Sequence, residues 1–306
     1  MIGVAVNFFQ KVNSTDHVEH SLFFCLSLLR LAPEITQIVV SDGSLIRNER
    51  VQSYCDERGV KYLHVGKEMS FAESYNAGIR HLTTNFICTL ASDVFVRSDT
   101  FTKIKNFLSE VDAETLGAVI PYLSDSDLPG QASTGPGPIR VSPLMTLNLN
   151  VFPRAVLDAI GGVNDEFSGC YNDFIMAKKL TDLGRKIYLV DAYAVHYGRL
   201  TRITGTNVDY LADKDKFAQL YPELYLPGVS WDLDLTKFGG TSRFRRKFKQ
   251  ACLMKEESKW PLLAKLLVSS EFLRPLNADA PPTGARAFRR RVKKILRNIF
   301  PKEIPG

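Results

Sequence analysis

The sequence predicts an α/β fold, a mostly parallel central sheet flanked by helices. Three observations predict it. Short apolar runs of strand length alternate with longer segments whose apolar residues recur at helical spacing. The connections between them are short, which favours right-handed crossovers and parallel neighbours. The composition, 45% hydrophobic and 24% charged over 306 residues, supports a large core and excludes wholesale disorder.

Taken in order, Ile2 to Phe9 reads as a buried strand. Ser14-Thr15-Asp16 supply cap chemistry for a helix over Val18 to Leu31, which Pro33 closes. Ile35 to Ser41 and Val60 to Val65 are the second and third strands. Ser70 opens a helix to Leu82, and Glu73 completes a capping box. Phe86 to Ala91 is a strand, Phe101 to Val111 a helix and Ala118 to Leu123 a fifth strand. Gly, Pro, Ser and Asp then dominate Ser124 to Ile139, a loop of a length that is often functional in compact domains. Leu144 to Phe152 returns to strand. Arg154 to Ile160 is a short helix ended by Gly161-Gly162, and Asp173 to Leu183 is another, closed by Gly184. Lys186 to Val190 and Ala192 to His196 read as two short strands, and Val208 to Leu220 as a helix.

Charge divides the chain. Residues 241–306 hold 17 Lys+Arg against 5 Asp+Glu, a net of +12, so residues 1–240 carry −6 of the total +6. The expected organisation is a catalytic domain over 1–235 and a basic, amphipathic helical C-terminal extension over 236–306. The five cysteines are scattered, none at CxxC spacing, which argues against a disulfide framework or a zinc site. Small buried side chains in a reducing compartment are expected instead. The first residues have no basic n-region and no run of eighteen apolar residues occurs, so neither a leader nor a membrane span is expected.

Ligands of parallel α/β sheets bind at the carboxyl ends of the strands. The second strand ends in Ser41-Asp42-Gly43-Ser44, where Asp42 could accept from a nucleoside or build a turn. The fourth ends in Ala91-Ser92-Asp93, where a carboxylate could hold a divalent cation together with a diphosphate, or cap a helix. Asp173 opens a helix beyond a glycine-rich turn, a place for a catalytic base or for a cap. His196 ends a short strand.

The succession SDGS, FAESYNAGIR, ASDV, FPRAVLDAIGGVNDEF, YNDF and VHYG over residues 2–200 resembles the glycosyltransferases of family 2, which have the GT-A fold. The resemblance implies transfer of a sugar, with inversion, from a nucleoside-diphosphate sugar to an acceptor hydroxyl. It implies that Asp42, Asn76, Gly78, Ser92 and Asp93 contact the donor. It implies that Asp93 and His196 hold Mg²⁺ or Mn²⁺ and that Asp173 is the base. The chain departs from the family pattern at Ala91-Ser92-Asp93, which keeps only the last carboxylate of DXD. Asn172-Asp173 stands where the family has Glu-Asp, and Tyr75 where it has Arg. QxxRW, the motif of processive members, is absent, so a single sugar per event is expected. Asp125-Ser126-Asp127 and Asp232-Leu233-Asp234 also spell DXD, and turn chemistry or an extended segment explains them.

In Ala285 to Phe300 the apolar residues Phe288, Val292, Ile295, Leu296, Ile299 and Phe300 share one helix face, with Arg and Lys elsewhere. With the basic run Arg243 to Lys249 and apolar Trp260 to Val268, this suits an anionic membrane surface through 243–300. A helix docked on the catalytic domain and a nucleic-acid contact are the alternatives, the latter without a recognition motif. A cytoplasmic protein, peripheral at the inner face of a membrane and acting on a glycan or lipid-linked glycan, is the expectation. A nucleotidyltransferase would place a glycine-rich loop after the first strand, where Asn7-Phe8-Phe9-Gln10 stands. A non-catalytic sugar-nucleotide-binding module is the reading from a different class.

Overall fold

The computed structural model describes residues 1–11, 17–124, 126, 128, 131–133, 135–196 and 210–222. The expected extension over 236–306 and both DXD decoys, at Asp125 and Asp127 and at Asp232 and Asp234, lie outside the described residues.

Strands β1 (Ile2–Phe8), β2 (Ile35–Asp42), β3 (Lys61–His64) and β4 (Phe86–Ala91) form one half of the sheet. Strands β5 (Val94–Val96), β6 (Leu116–Leu123), β7 (Arg140–Ser142), β8 (Leu149–Pro153) and β9 (Lys186–His196) form the other. The order is β3-β2-β1-β4-β8-β6-β9-β5, with β7 also on β9. β1 is parallel to β2 and β4, β2 to β3, and β6 to β9. β8 runs antiparallel to both β4 and β6. The strands β1, β2, β3, β4, β6 and β9 therefore all point one way, and only β5, β7 and β8 oppose them. β8 bridges the two parallel groups, and its buried residues Leu149, Val151 and Phe152 fill the middle of the core.

The helices are α1 (His17–Leu29), α2 (Glu49–Asp56), α3 (Phe71–Ile79), α4 (Thr100–Glu110), α5 (Arg154–Ala159), α6 (Asn172–Asp182) and α7 (Tyr210–Leu220). The capping box of α3 is present: Glu73 N donates to Ser70 Oγ at 3.2 Å and Ser70 N to Glu73 at 2.8 Å. Gly184 closes α6 at φ +69. The three-residue strands β5 and β7 were not expected, and two further elements differ from the sequence pattern. α2 was not expected, because its amphipathic face is one short stripe of Val51, Tyr54 and Cys55. Asn48 nucleates it by accepting from Val51 N at 3.0 Å. The two short strands after α6 are one, because a register shift opposite Pro121 and Tyr122 carries β9 across the interruption.

The described cysteines are all free, with Cys25, Cys55 and Cys88 buried. Burial pushes the Cys25 thiol up, helped by the nearby Asp93 carboxylate, and burial alone does the same to Cys88. They are core packing, as their scattered spacing implied.

Candidate active site at the carboxyl edge of the sheet

Chain order sets where the chemistry gathers. From β1 the chain moves outward to β2 and β3, then returns across β1 to β4. That reversal leaves a crevice at the carboxyl ends of β1 and β4, the place where doubly wound sheets bind ligands. Asn7 and Ala91 are register partners on its two sides. Asn7 Oδ1, at the end of β1, is buried without a hydrogen-bond partner, as are Ser41 Oγ in β2 and Asn150 Oδ1 in β8. Such atoms cost free energy unless water or a ligand meets them. Periodicity could not single them out, because Asn7 and Ser41 read as ordinary strand ends.

β9 runs parallel to β6 and so ends at the same edge as β2 and β4. Its last residue, His196, is the register partner of Val94 in β5, which follows Asp93 by one residue. The fold thereby brings His196 Nε2 to 3.6 Å from Asp93 Oδ1, both side chains about nine-tenths buried. This is longer than a hydrogen bond. Ser92 is buried too, and its carbonyl accepts from Ser21 Oγ at 3.0 Å, which fixes the turn carrying Asp93 to α1. No cluster of three or more His, Cys, Asp or Glu side chains able to hold a metal exists among the described residues. Asp93 and His196 nevertheless fit a cation completed by phosphate oxygens, since Mg²⁺ and Mn²⁺ commonly take one or two protein ligands plus phosphate. The imidazole suits Mn²⁺ better than Mg²⁺.

Asp42, expected at the donor, has partners within the chain. It ends β2 at the right edge, yet it is 0% exposed. Its Oδ1 accepts from Ser44 N at 2.8 Å and its Oδ2 from Tyr62 Oη at 2.5 Å. The carboxylate builds the turn. Burial and this carboxylate hold the Tyr62 hydroxyl well above the usual phenol range. From Tyr62 a polar wall continues outward. Asn48 N donates to Tyr62 Oη, and Asn48 Nδ2 donates to Glu19 at 2.8 Å. Gln10 Nε2 and Arg50 donate to the same carboxylate.

Asn76 and Gly78, also expected at the donor, have roles in packing as well. Asn76 Nδ2 donates to Val163 O at 2.7 Å, and Val163 N donates to Asn76 Oδ1 at 2.9 Å. The amide ties α3 to the turn after α5. A Cβ on Gly78 would stand 3.1 Å from Ala5 Cβ and Ser41 Oγ, so this glycine lets α3 lie close on β1 and β2.

Asp173 is the second residue of α6, half-buried, its Oδ1 accepting from Phe174 N at 3.0 Å. α6 packs on β9 and joins it through residues 183–185 alone. The two therefore run antiparallel, and the N-terminus of α6 points toward the edge where His196 lies. The preceding Asn172 is 0% exposed. Its Nδ2 donates to Phe167 O at 2.8 Å, and its Oδ1 accepts from Phe167 N and Asn164 Nδ2. A carboxylate at 172 could not make the first of these bonds, which accounts for Asn where the family pattern has Glu.

An open α/β sheet that reverses at β1, with a carboxylate and an imidazole at that edge, has the layout in which such sheets bind ligands. Residues 19–162 match the family model described as "Glycosyl transferase family 2". Residues 19–162 are thus similar to family 2 glycosyltransferases, and the fold around them is of the GT-A kind. No curated protein sequence matches it. Among solved structures it resembles S. aureus TarS 1–349 in complex with UDP, at 15% identity and a TM-score of 0.50, covering 97% of this chain and 91% of that one. A longer TarS chain matches at 13% identity and a TM-score of 0.48, and this chain spans about half of its length, 53%, with 94% of itself covered. The mannosyltransferase PcManGT from Pyrobaculum calidifontis, in complex with GDP-Man and Mn²⁺, matches at 15% identity and a TM-score of 0.45, with 95% and 80% covered.

Proposed function

We propose that the chain transfers one sugar, with inversion, from a nucleoside-diphosphate sugar to an acceptor hydroxyl, with Asp173 as the base. The observation that carries this reading is the arrangement at one sheet edge: Asp93 facing His196 at 3.6 Å, with α6 aiming its N-terminus and Asp173 toward the same edge. Asp173 takes the proton of the acceptor hydroxyl as its oxygen bonds to the anomeric carbon, and the bond to the nucleoside diphosphate breaks. Inversion follows from a single displacement of this kind. Proton removal by a placed side chain contributes roughly 10²–10⁴-fold. The donor lies in the crevice between β1 and β4, where the unpartnered acceptor of Asn7 faces a ligand's N–H or O–H. Asp93 and His196 would hold the divalent cation, which supplies positive charge against the departing diphosphate.

UDP-sugars are the first donors to test, since the TarS 1–349 structure contains UDP. We assign the acceptor to a glycan or lipid-linked glycan at the inner face of a membrane. The basic and apolar pattern of residues 243–300 supports this, because it suits anionic lipid. The test is a panel of UDP- and GDP-sugars with Mn²⁺, reading nucleoside-diphosphate release. Release from one donor class is the expected result. Asp173→Asn should slow it by about 10²–10⁴-fold while UDP binding stays within two-fold. A wild-type rate in that variant removes Asp173 from the base role, and no release from any donor removes the transferase reading of this site.

A further inference from the structure

We infer that α7 is the splint of the base-bearing loop and that Asp213 is its positioning residue, setting Asp173 through the backbone of residues 168–170. The inference rests on the reading of Asp173 as the base. It goes beyond that reading because α7 and the loop both lie outside the segment 19–162 that matches the family.

Asp213 is 6% exposed although charged. Its Oδ1 accepts from Ser168 N and Ser168 Oγ, both at 3.0 Å. Its Oδ2 accepts from Gly169 N at 2.8 Å and Cys170 N at 3.0 Å. Three consecutive amides converging on one carboxylate form an anion nest, and here the anion comes from 43 to 45 residues away. Charge-assisted bonds of this kind are stronger than neutral ones, and four on one side chain fix the loop in three dimensions.

The rest of α7 continues the grip on either side of the nest. Lys216 Nζ donates to Glu166 O at 2.6 Å and stands 5.1 Å from the centre of the Phe167 ring. Tyr221 Oη donates to Glu166 Oε2 at 2.7 Å. Phe217, buried, stacks on Tyr171 at 4.4 Å with 13° between the rings. Every residue from 166 to 171 thus touches α7.

The grip has a purpose in the backbone. Tyr171 has φ +68, the sole non-glycine at positive φ among the described residues. A bulky residue in that region is strained and persists only where its surroundings over-determine it. Tyr171 is the residue from which α6 starts, two before Asp173. The nest and the stacked ring hold it there, so the direction in which α6 presents Asp173 depends on Asp213.

The test uses the full chain. In Asp213→Asn, one oxygen replaces two and an N–H₂ faces amide donors. The hydrolysis rate of the best UDP-sugar should fall at least ten-fold at saturating donor, with UDP affinity within two-fold of wild type. Asp213→Glu should recover part of the rate. Hydrogen exchange at Ser168–Cys170 should quicken at least ten-fold, the change reaching Tyr171 and the first turn of α6 and sparing β1–β4. In an Asp173→Asn background, Asp213→Asn should slow the reaction no further, because both act on one step. A rate within two-fold of wild type overturns the inference, as does a loss of rate matched by an equal loss of UDP affinity, or exchange unchanged at 168–170. If Asp173→Asn keeps the wild-type rate, the base reading fails, and the exchange result alone then decides whether α7 holds the loop.

Discussion

The donor side and the base side of this molecule are held by different mixtures of local and distant contacts. Around β1, β2 and β4 local bonds set the turns and caps, Asp42 bonding Ser44 two residues on and Ser70 and Glu73 capping α3 within one turn, and Tyr62 and Ser21 add bonds from 20 and 71 residues away. Around Asp173 the loop is made by long-range chemistry, since Asp213 reaches amides 43 to 45 residues away and Asn76 pairs with Val163 across 87. The comparison teaches that a polar residue inside a recognisable motif is not thereby a ligand-binding residue. Asp42, Asn76 and Gly78, which match family motifs, also build turns and packing. The Asp93 and His196 pair and the acid at the head of α6 are the groups the proposed chemistry uses.

The largest effect expected from breaking this contrast is at the sheet edge itself. His196→Ala removes one of two groups that face each other at 3.6 Å. If they hold the cation together, the Mn²⁺ concentration for half-maximal activity should rise by about 10- to 100-fold. UDP binding without metal should not change. A Mn²⁺ titration of both forms reads the difference. An unchanged midpoint would leave Asp93 as the sole protein ligand and place His196 among the packing residues.

A medium effect separates structure from binding at Asp42. Asp42→Asn offers one acceptor where Ser44 N and Tyr62 Oη now use two. A hydrogen bond to a charged group contributes about 1.5–3 kcal/mol, so thermal or denaturant unfolding should show a loss in that range. UDP affinity should stay within two-fold, because the carboxylate is enclosed. A ten-fold loss of UDP affinity with unchanged stability would return Asp42 to the donor site. The neighbouring hydroxyl adds a pH signature. Tyr62 holds its proton above the usual phenol value. Its stabilising contribution is therefore complete below about pH 10 and declines as pH rises beyond that. Tyr62→Phe should flatten the alkaline limb of the stability curve.

Much of the fold was legible because sheet, helices and caps announce themselves locally. The apolar run of β4, the capping box of α3 and the glycine stop of α6 each rest on neighbours within a few residues. The site was legible only in part. Asp93, His196 and Asp173 could be picked out as strand-end and helix-start groups, and topology gathers them at one edge. That Asp42 is sealed could not be read, since its cover, Tyr62, arrives from another strand. Asp213 carried no signal at all. On an amphipathic helix an acid is ordinarily a solvated surface residue, and only the nest of amides from a distant loop gives it a role.

The smallest effect tests the joint between the two sides, the turn where α3 meets the loop. Gly161 and Gly162 both sit in the left-handed region, at φ +84 and +83. Alanine at either place carries the backbone penalty of that region, about 1–2 kcal/mol. Only at Gly162 does the added methyl also meet an atom, with Asn76 Oδ1 2.8 Å away, while at Gly161 nothing stands within 4 Å. That oxygen accepts from Val163 N and belongs to an amide bonded on both edges, so it cannot retreat without breaking the pair. Gly162→Ala should therefore destabilise the chain by more than Gly161→Ala, by about one lost hydrogen bond, 0.5–1.5 kcal/mol. Equal losses would mean that the amide of Asn76 swings aside freely. The two halves would then be joined through the sheet alone, and the loop that carries the base would owe its position to α7.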